Sequence, residues 1–174
     1  MDEGCRNSQA YKAQLERARR WCAAEERCES GVREKLAAWG TGRADADDII
    51  ASLVEEGYLD DVRYARAYCE SKVLHQHWGR QKVCYQLRLK RLSREAIEEG
   101  MAAVDEKRYM EMLREVAEKK WEAASGKRSV GSGESGVERR EWVTDVKRKV
   151  MAFLASRGFT MSEINETITN ITKR

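Results

Sequence analysis

Residues 56–97 read EGYLDDVRYARAYCESKVLHQHWGRQKVCYQLRLKRLSREAI, and this stretch decides the fold. It opens on Gly57-Tyr58-Leu59-Asp60-Asp61, a turn glycine followed by two carboxylates where a helix would begin. Tyr64, Ala65, Tyr68 and Val73 then recur at three- and four-residue spacing, the apolar stripe of a long amphipathic helix. The pattern predicts a second helix from near Gly79 to about Arg91, and Leu92-Ser93 turns the chain into a third. From Ser71 to Arg94 there is no acidic residue, while Lys72, Arg80, Lys82, Arg88, Lys90, Arg91 and Arg94 are all basic.

The same plan recurs on both sides. Upstream, a helix from Gln9 to about Ala24 places Tyr11, Leu15, Ala18 and Cys22 on one face. Ser30-Gly31 reads as the entry to a second helix carrying Val32, Leu36 and Trp39, ended by Gly40-Thr41-Gly42. A third helix is expected to start at Asp45 and to carry Ile49, Ile50 and Leu53. Downstream, helices are predicted from about Asp105 to Ala124, from about Arg139 to Arg157, and from Met161 to near Thr172. Between the first two of these lies a flexible Gly/Ser loop at 125–136. It contains Gly126-Lys127, but no glycine stands five places earlier, so it is not a phosphate-binding loop.

The starts of the third helices align. Asp45 is followed four places later by Ile49, Ser93 by Ile97 and Thr160 by Ile164. Leu92 and Phe159 precede their caps as hydrophobic staples, and Thr160-x-x-Glu163 forms a capping box. Leu87 to Ser93 matches Leu154 to Thr160 at equal spacing, and the Leu36–Ile49 segment is expected to follow with a turn two residues longer. The expectation is an all-α chain of three tandem three-helix repeats, at 9–57, 58–103 and 104–174.

Composition agrees. The chain of 174 residues has no proline, 41% apolar and 36% charged residues, a balance suited to thin helical cores in an elongated molecule. Residues 1–62 hold nine basic and fourteen acidic side chains, net −5, whereas residues 63–174 hold twenty-four and sixteen, net +8. This asymmetry points to an acidic partner, either nucleic acid or an acidic protein surface. The five cysteines (5, 22, 28, 69 and 84) form no CxxC pair and read as reduced thiols. No apolar run is long enough for a membrane span and the start MDEGCRNSQA is no leader, so a cytoplasmic chain is expected. The sequons at Asn165 and Asn170 then read as chance matches within a helix.

Gly57-Tyr58-Leu59-Asp60-Asp61-x-x-Tyr64-Ala65, Gly79-Arg80-x-x-Val83 and Leu87-x-x-Lys90-x-Leu92-x-x-Glu95-x-Ile97, with Leu154-x-x-Arg157-Gly158-Phe159, resemble the RecX family of recombinase regulators. The resemblance covers about residues 11 to 172. It implies three-helix repeats forming an extended, curved array. It also implies binding to the RecA nucleoprotein filament, in whose groove the chain would lie, restraining filament growth, ATP hydrolysis and strand exchange. This chain has Lys90-Arg91 where the family usually has Lys-Gly, and Arg27-Cys28-Glu29-Ser30 where an aromatic residue commonly precedes the cap.

The candidate partner surface is the basic one. Arg80, Lys82, Arg88, Lys90, Arg91 and Arg94 lie on one helix and its exit turn, and Lys147, Arg148, Lys149 and Arg157 occupy the comparable unit. In a curved array these residues would line one concave side, suited to acidic grooves or phosphates. On the second helix Val83, Cys84 and Leu87 share a face while Tyr85 and Leu89 fall opposite, so the helix packs between neighbours or meets a partner, with packing the preferred reading.

Sequence-specific duplex reading is not expected, because the helix after Ser93 is acidic after its first residue, Arg94, and the helix after Thr160 is not basic. Nonspecific contact with single-stranded DNA is the alternative, with Tyr85, Trp78 or Trp142 as stacking candidates that also fit a core. Cys69, His75, His77 and Cys84 match no usual zinc spacing, and no nucleophile–base pair stands out. Asp60 and Asp61 read as helix caps rather than catalytic carboxylates. The expectation is a monomeric, non-enzymatic chain with no metal or cofactor.

Overall fold

The computed structural model describes residues 9–126 and 136–173, and within them the chain is all-α with no strand. Residues 127–135 of the expected Gly/Ser loop, and residues 1–8 with Cys5, lie outside the described residues. The helices are α1 (Gln9–Ala24), α2 (Glu29–Ala38), α3 (Arg43–Glu55), α4 (Asp61–Glu70), α5 (Arg80–Leu89), α6 (Arg94–Ala102), α7 (Glu106–Ser125), α8 (Gly136–Ser156) and α9 (Met161–Thr172). The long helix expected after Asp61 is α4 continued by a π-helical turn, Ser71–His75.

Helix starts follow local side-chain chemistry. The Asp60 carboxylate accepts from the Val62 and Arg63 N–H groups, the Asp105 carboxylate from Arg108 N–H, and the Ser93 hydroxyl from Ala96 N–H. At Thr160 the capping box is complete: Glu163 N–H donates to the Thr160 hydroxyl and Thr160 N–H to the Glu163 carboxylate. Each such cap contributes about 1 kcal/mol and sets where its helix begins. Asp61 reaches further, accepting from Glu29 N–H at the start of α2 at 3.1 Å.

The turn between second and third helices is the same structure three times. Thr41 N–H donates to Leu36 C=O, Leu92 N–H to Leu87 C=O and Phe159 N–H to Leu154 C=O, while the preceding residue bonds the next carbonyl along. This is the Schellman closure, which needs a left-handed residue just past the helix. Gly40 (φ 80°), Arg91 (φ 62°) and Gly158 (φ 85°) supply it. Two sequence expectations are corrected here. The first third-helix begins at Arg43 with Gly42 as its cap position, not at Asp45, and its turn is no longer than the others. Asp45 has cap chemistry but stands in the first turn, where its charge meets the helix dipole. The residue equivalent to Ile97 and Ile164 is therefore Ala46, also buried.

Arg91 is the costly member of the trio, since a left-handed residue with a Cβ is about 1–2 kcal/mol less favourable than one in ordinary backbone. Arg91→Gly is accordingly expected to stabilise the fold by about 1 kcal/mol, read as a higher urea midpoint at unchanged slope.

The described helices pack as two compact units. One holds residues up to Tyr68 with Gln86–Ala103, the other Cys69–Tyr85 with residues from Val104 on. The first unit's core gathers Tyr11, Ala18, Cys22, Val32, Leu36, Ile49, Ile50 and Leu53, flanked by Trp21 and Trp39 edge to face. In the second, α7, α8 and α9 pack on one another and bury Tyr109, Leu113, Val146, Val150, Leu154, Phe159 and Ile164.

Each unit contains the start of one second helix together with the turn that ends another. In the second unit this joint is backbone on backbone: Gly79 N–H donates to Arg157 C=O at 2.9 Å and Gln81 N–H to Gly158 C=O at 3.1 Å. A Cβ on Gly79 would lie 2.2 Å from the Gly158 oxygen, and one on Gly158 would lie 2.3 Å from Lys82 Cβ. The Gly79-Arg80 and Arg157-Gly158-Phe159 motifs thus meet as two halves of one contact.

Candidate interaction surface

Helix α5 carries the acid-free run, and its two sides differ. Val83 and Leu87 are fully buried, whereas Tyr85 and Leu89, one turn apart, are 56% and 59% exposed. The packing expected for this second apolar face is not made among the described residues; both side chains are exposed. Of the proposed stacking aromatics, Trp142 is half-buried and Trp78 has the Lys72 and Lys82 ammonium groups 5.3 and 4.4 Å from its ring centre.

The ten cations of the proposed basic face divide by their partners. Arg80 pairs with Glu106 and lies 4.2 Å over the Tyr109 ring, and Lys82 stacks on Trp78. Arg94 pairs with Glu98, while Arg148 and Lys149 both pair with Asp145, holding its carboxyl below the usual carboxylate range. Arg157 donates to Gln76 C=O at 2.9 Å and sits 5.2 Å from the Phe153 ring, a bridging role inside its own unit. Lys90 has the Tyr64 ring at 5.9 Å. Arg88, Lys90, Arg91 and Lys147 have no carboxylate at ion-pair distance among the described residues. Three of these four are consecutive but for Leu89, on the exit of α5.

Arg88, Lys90, Arg91 and Arg94 fall in the first unit; Arg80, Lys82, Lys147, Arg148, Lys149 and Arg157 fall in the second. Around the first group the structure adds cations that sequence reading did not select. The Ser30 hydroxyl donates to Lys90 C=O at 2.6 Å, tying the start of α2 to the α5 exit turn. Arg33 and Arg43 line a common surface with Arg91. Their own neighbourhood is acidic in sequence, so local charge counting passed over them.

Among the described residues no group of three or more His, Cys, Asp or Glu side chains is placed to hold a metal ion. Cys69 is fully buried, and burial pushes its thiol up to about 12, with the neighbouring Cys84 adding to the shift. Such a thiol is a packing residue rather than a nucleophile. Asp60 and Asp61 are both engaged with backbone N–H groups, as caps. No helix among the described residues is long and apolar enough to cross a membrane.

Residues 60–101 match a family model described as the second three-helix domain of RecX. The regulatory protein RecX of Escherichia coli O9:H4 (strain HS) is 31% identical over 176 residues, covering 95% of this chain and 96% of the relative. The regulatory protein RecX of Clostridium tetani (strain Massachusetts / E88) is 25% identical, covering 82% of this chain; the match spans only 60% of that longer relative. The crystal structure of RecX from Lactobacillus salivarius superposes with a TM-score of 0.74 at 18% identity, covering 94% of this chain and 97% of that one, a likeness of fold.

Proposed function

Because the chain belongs to the RecX family of regulatory proteins, we propose that it is a non-enzymatic, cytoplasmic regulator that binds the RecA nucleoprotein filament as a monomer. In this reading residues 9–57, 58–103 and 104–174 are three repeats laid along the filament, restraining its extension, ATP hydrolysis and strand exchange. The observation that carries it is the exit of α5, where Arg88, Lys90 and Arg91 have no carboxylate partner among the described residues and Leu89 is exposed between them. Cations left unneutralised beside exposed apolar side chains suit an acidic protein groove: charge brings the partners together and the apolar contact holds them. Slowing ATP turnover requires only that the chain prefer one filament conformation over the others, since differential affinity is what shifts such an equilibrium.

Reversing Arg88, Lys90 and Arg91 together to glutamate is expected to raise the concentration needed to inhibit RecA ATPase on single-stranded DNA by about tenfold or more, since both attraction and orientation are lost. The helical circular dichroism and its melt should stay those of the parent chain. Undiminished inhibition by the folded triple variant would rule out this surface. A salt titration on DNA without RecA tests the nucleic-acid reading: a log K slope of about −0.9 per phosphate neutralised on duplex would mark direct binding instead.

A further inference from the structure

The joint described for the second unit is built a second time in the first, and the two copies differ. Aligning Leu36 with Leu87 and Leu154 puts Cys28 where Gly79 stands and Arg91 where Gly158 stands. The close backbone contact of the glycine copy is replaced by a side-chain link, Ser30 hydroxyl to Lys90 C=O. Beside this copy lies a cavity of about 500 Å3 lined by Arg33, Thr41, Arg43, Ala46, Asp47 and Arg91. Arg33 is paired with Asp47, whereas Arg43 and Arg91 are exposed and have no carboxylate partner among the described residues. Three guanidinium groups against one carboxylate leave the cavity positive.

We propose that Arg33, Arg43 and Arg91 form a socket for a single carboxylate, an aspartate or glutamate side chain of the partner protein. The inference rests on the regulatory reading above and names the chemistry of one contact within it. Planar guanidinium groups take a carboxylate through paired N–H donors, which adds orientation to charge. Arg91 holds its place in left-handed backbone where the equivalent turns have glycine, a strain that a contact made by its side chain would offset.

The surroundings select a lone anion over a strand of phosphates. Arg33 and Arg91 also border a second hollow lined by Glu29, Glu34 and Asp61. The first 62 residues carry a net −5. A nucleic-acid backbone seated on the arginines would lay its next phosphates over these carboxylates, well within the screening length of about 8 Å at physiological salt. An acidic side chain of a protein can be presented without a second charge at phosphate spacing beside it.

The test uses the full chain with Arg43→Glu and Arg91→Gly together, measured against RecA filaments on single-stranded DNA and against the same DNA alone. The expected result is a loss of filament affinity of about tenfold or more, with binding to DNA alone unchanged and a melting temperature no lower than the parent's. Affinity for the filament equal to the parent's would overturn the socket. So would a parallel loss on DNA alone, which would assign the site to phosphate. A parent chain that does not bind the filament at all would overturn the regulatory reading itself, and the socket with it. Should the double variant melt early, Arg43→Glu alone, at an exposed side chain without a partner, carries the same expectation.

Discussion

Gly158→Ala is expected to cost about 3–4 kcal/mol of stability, and two other glycines separate the causes. At Gly158 the backbone is left-handed (φ 85°), and an added Cβ would lie 2.3 Å from Lys82 Cβ and 2.6 Å from Lys82 N. The first effect contributes about 1 kcal/mol and the overlap a further 2–3, because relief means parting two hydrogen-bonded backbones. Gly40 has the same handedness (φ 80°) with open space around it, so Gly40→Ala should cost only about 1 kcal/mol. Gly79 has the overlap alone, its added Cβ falling 2.2 Å from the Gly158 oxygen, so Gly79→Ala should lie between them, at about 2–3 kcal/mol. Urea midpoints at constant slope rank the three. Equal losses at Gly40 and Gly158 would mean that the joint yields without cost.

Tyr109→Ala is expected to be comparably damaging, at about 3–5 kcal/mol, the usual cost of deleting a fully buried aromatic ring. The ring lies 6.0 Å from that of Phe159 and beneath the Arg80 guanidinium, and its oxygen accepts from Arg80 N–H at 3.4 Å. Removing it opens the core of the second unit and loosens the start of α5. Tyr109→Phe keeps the ring and should cost less, about 1–2 kcal/mol, because what is lost is the hydroxyl's hydrogen bonding to Arg80 N–H and to the Glu163 side chain.

The same residue sets an alkaline limit. Burial, reinforced by the Glu163 carboxylate, raises the Tyr109 phenol above its usual value of 10 in the folded chain. Above that pH the unfolded chain releases the proton while the folded one keeps it. The contribution of this group is therefore intact below about pH 10 and is lost as pH rises, by up to about 1.4 kcal/mol per unit. Tyr64, raised chiefly by burial as well, adds to the limb. Tyr109→Phe should shallow the loss between pH 10 and 11, a comparison that pH-dependent urea unfolding makes directly.

Much of the helical plan was legible because it is local. The Ser93 cap and the Thr160 box lie within one turn of the residues they serve, and the structure has both bonds. Asp45 misled because cap preference is a preference of residue type, whereas the start of α3 is set by the Schellman turn at Gly40, which needs no side chain. The second apolar face of α5 was misread for a different reason. Periodicity reports which residues share a side of a helix, not whether a neighbour covers that side, and Tyr85 and Leu89 are uncovered.

At the candidate surface, charge runs led to Arg88, Lys90 and Arg91 but could not sort free cations from engaged ones. Arg157 and Arg80 look alike in sequence to Arg88, yet one binds Gln76 C=O and the other Glu106 and Tyr109. Arg33 and Arg43 escaped notice because their sequence neighbours are acidic; they join Arg91 only in the folded chain, where all three line one surface.

By itself, then, the sequence determined an all-α chain, the caps at Asp60, Ser93 and Thr160, and the family that its motifs mark, since hydrophobic period and capping act over a few residues. Only the tertiary structure decided that Gly79 and Gly158 close one joint, while Cys28 and Arg91 stand at the corresponding places of another beside an arginine-lined cavity. Those outcomes depend on backbones far apart in the chain approaching within bonding distance, and no local pattern of residues encodes how close they come.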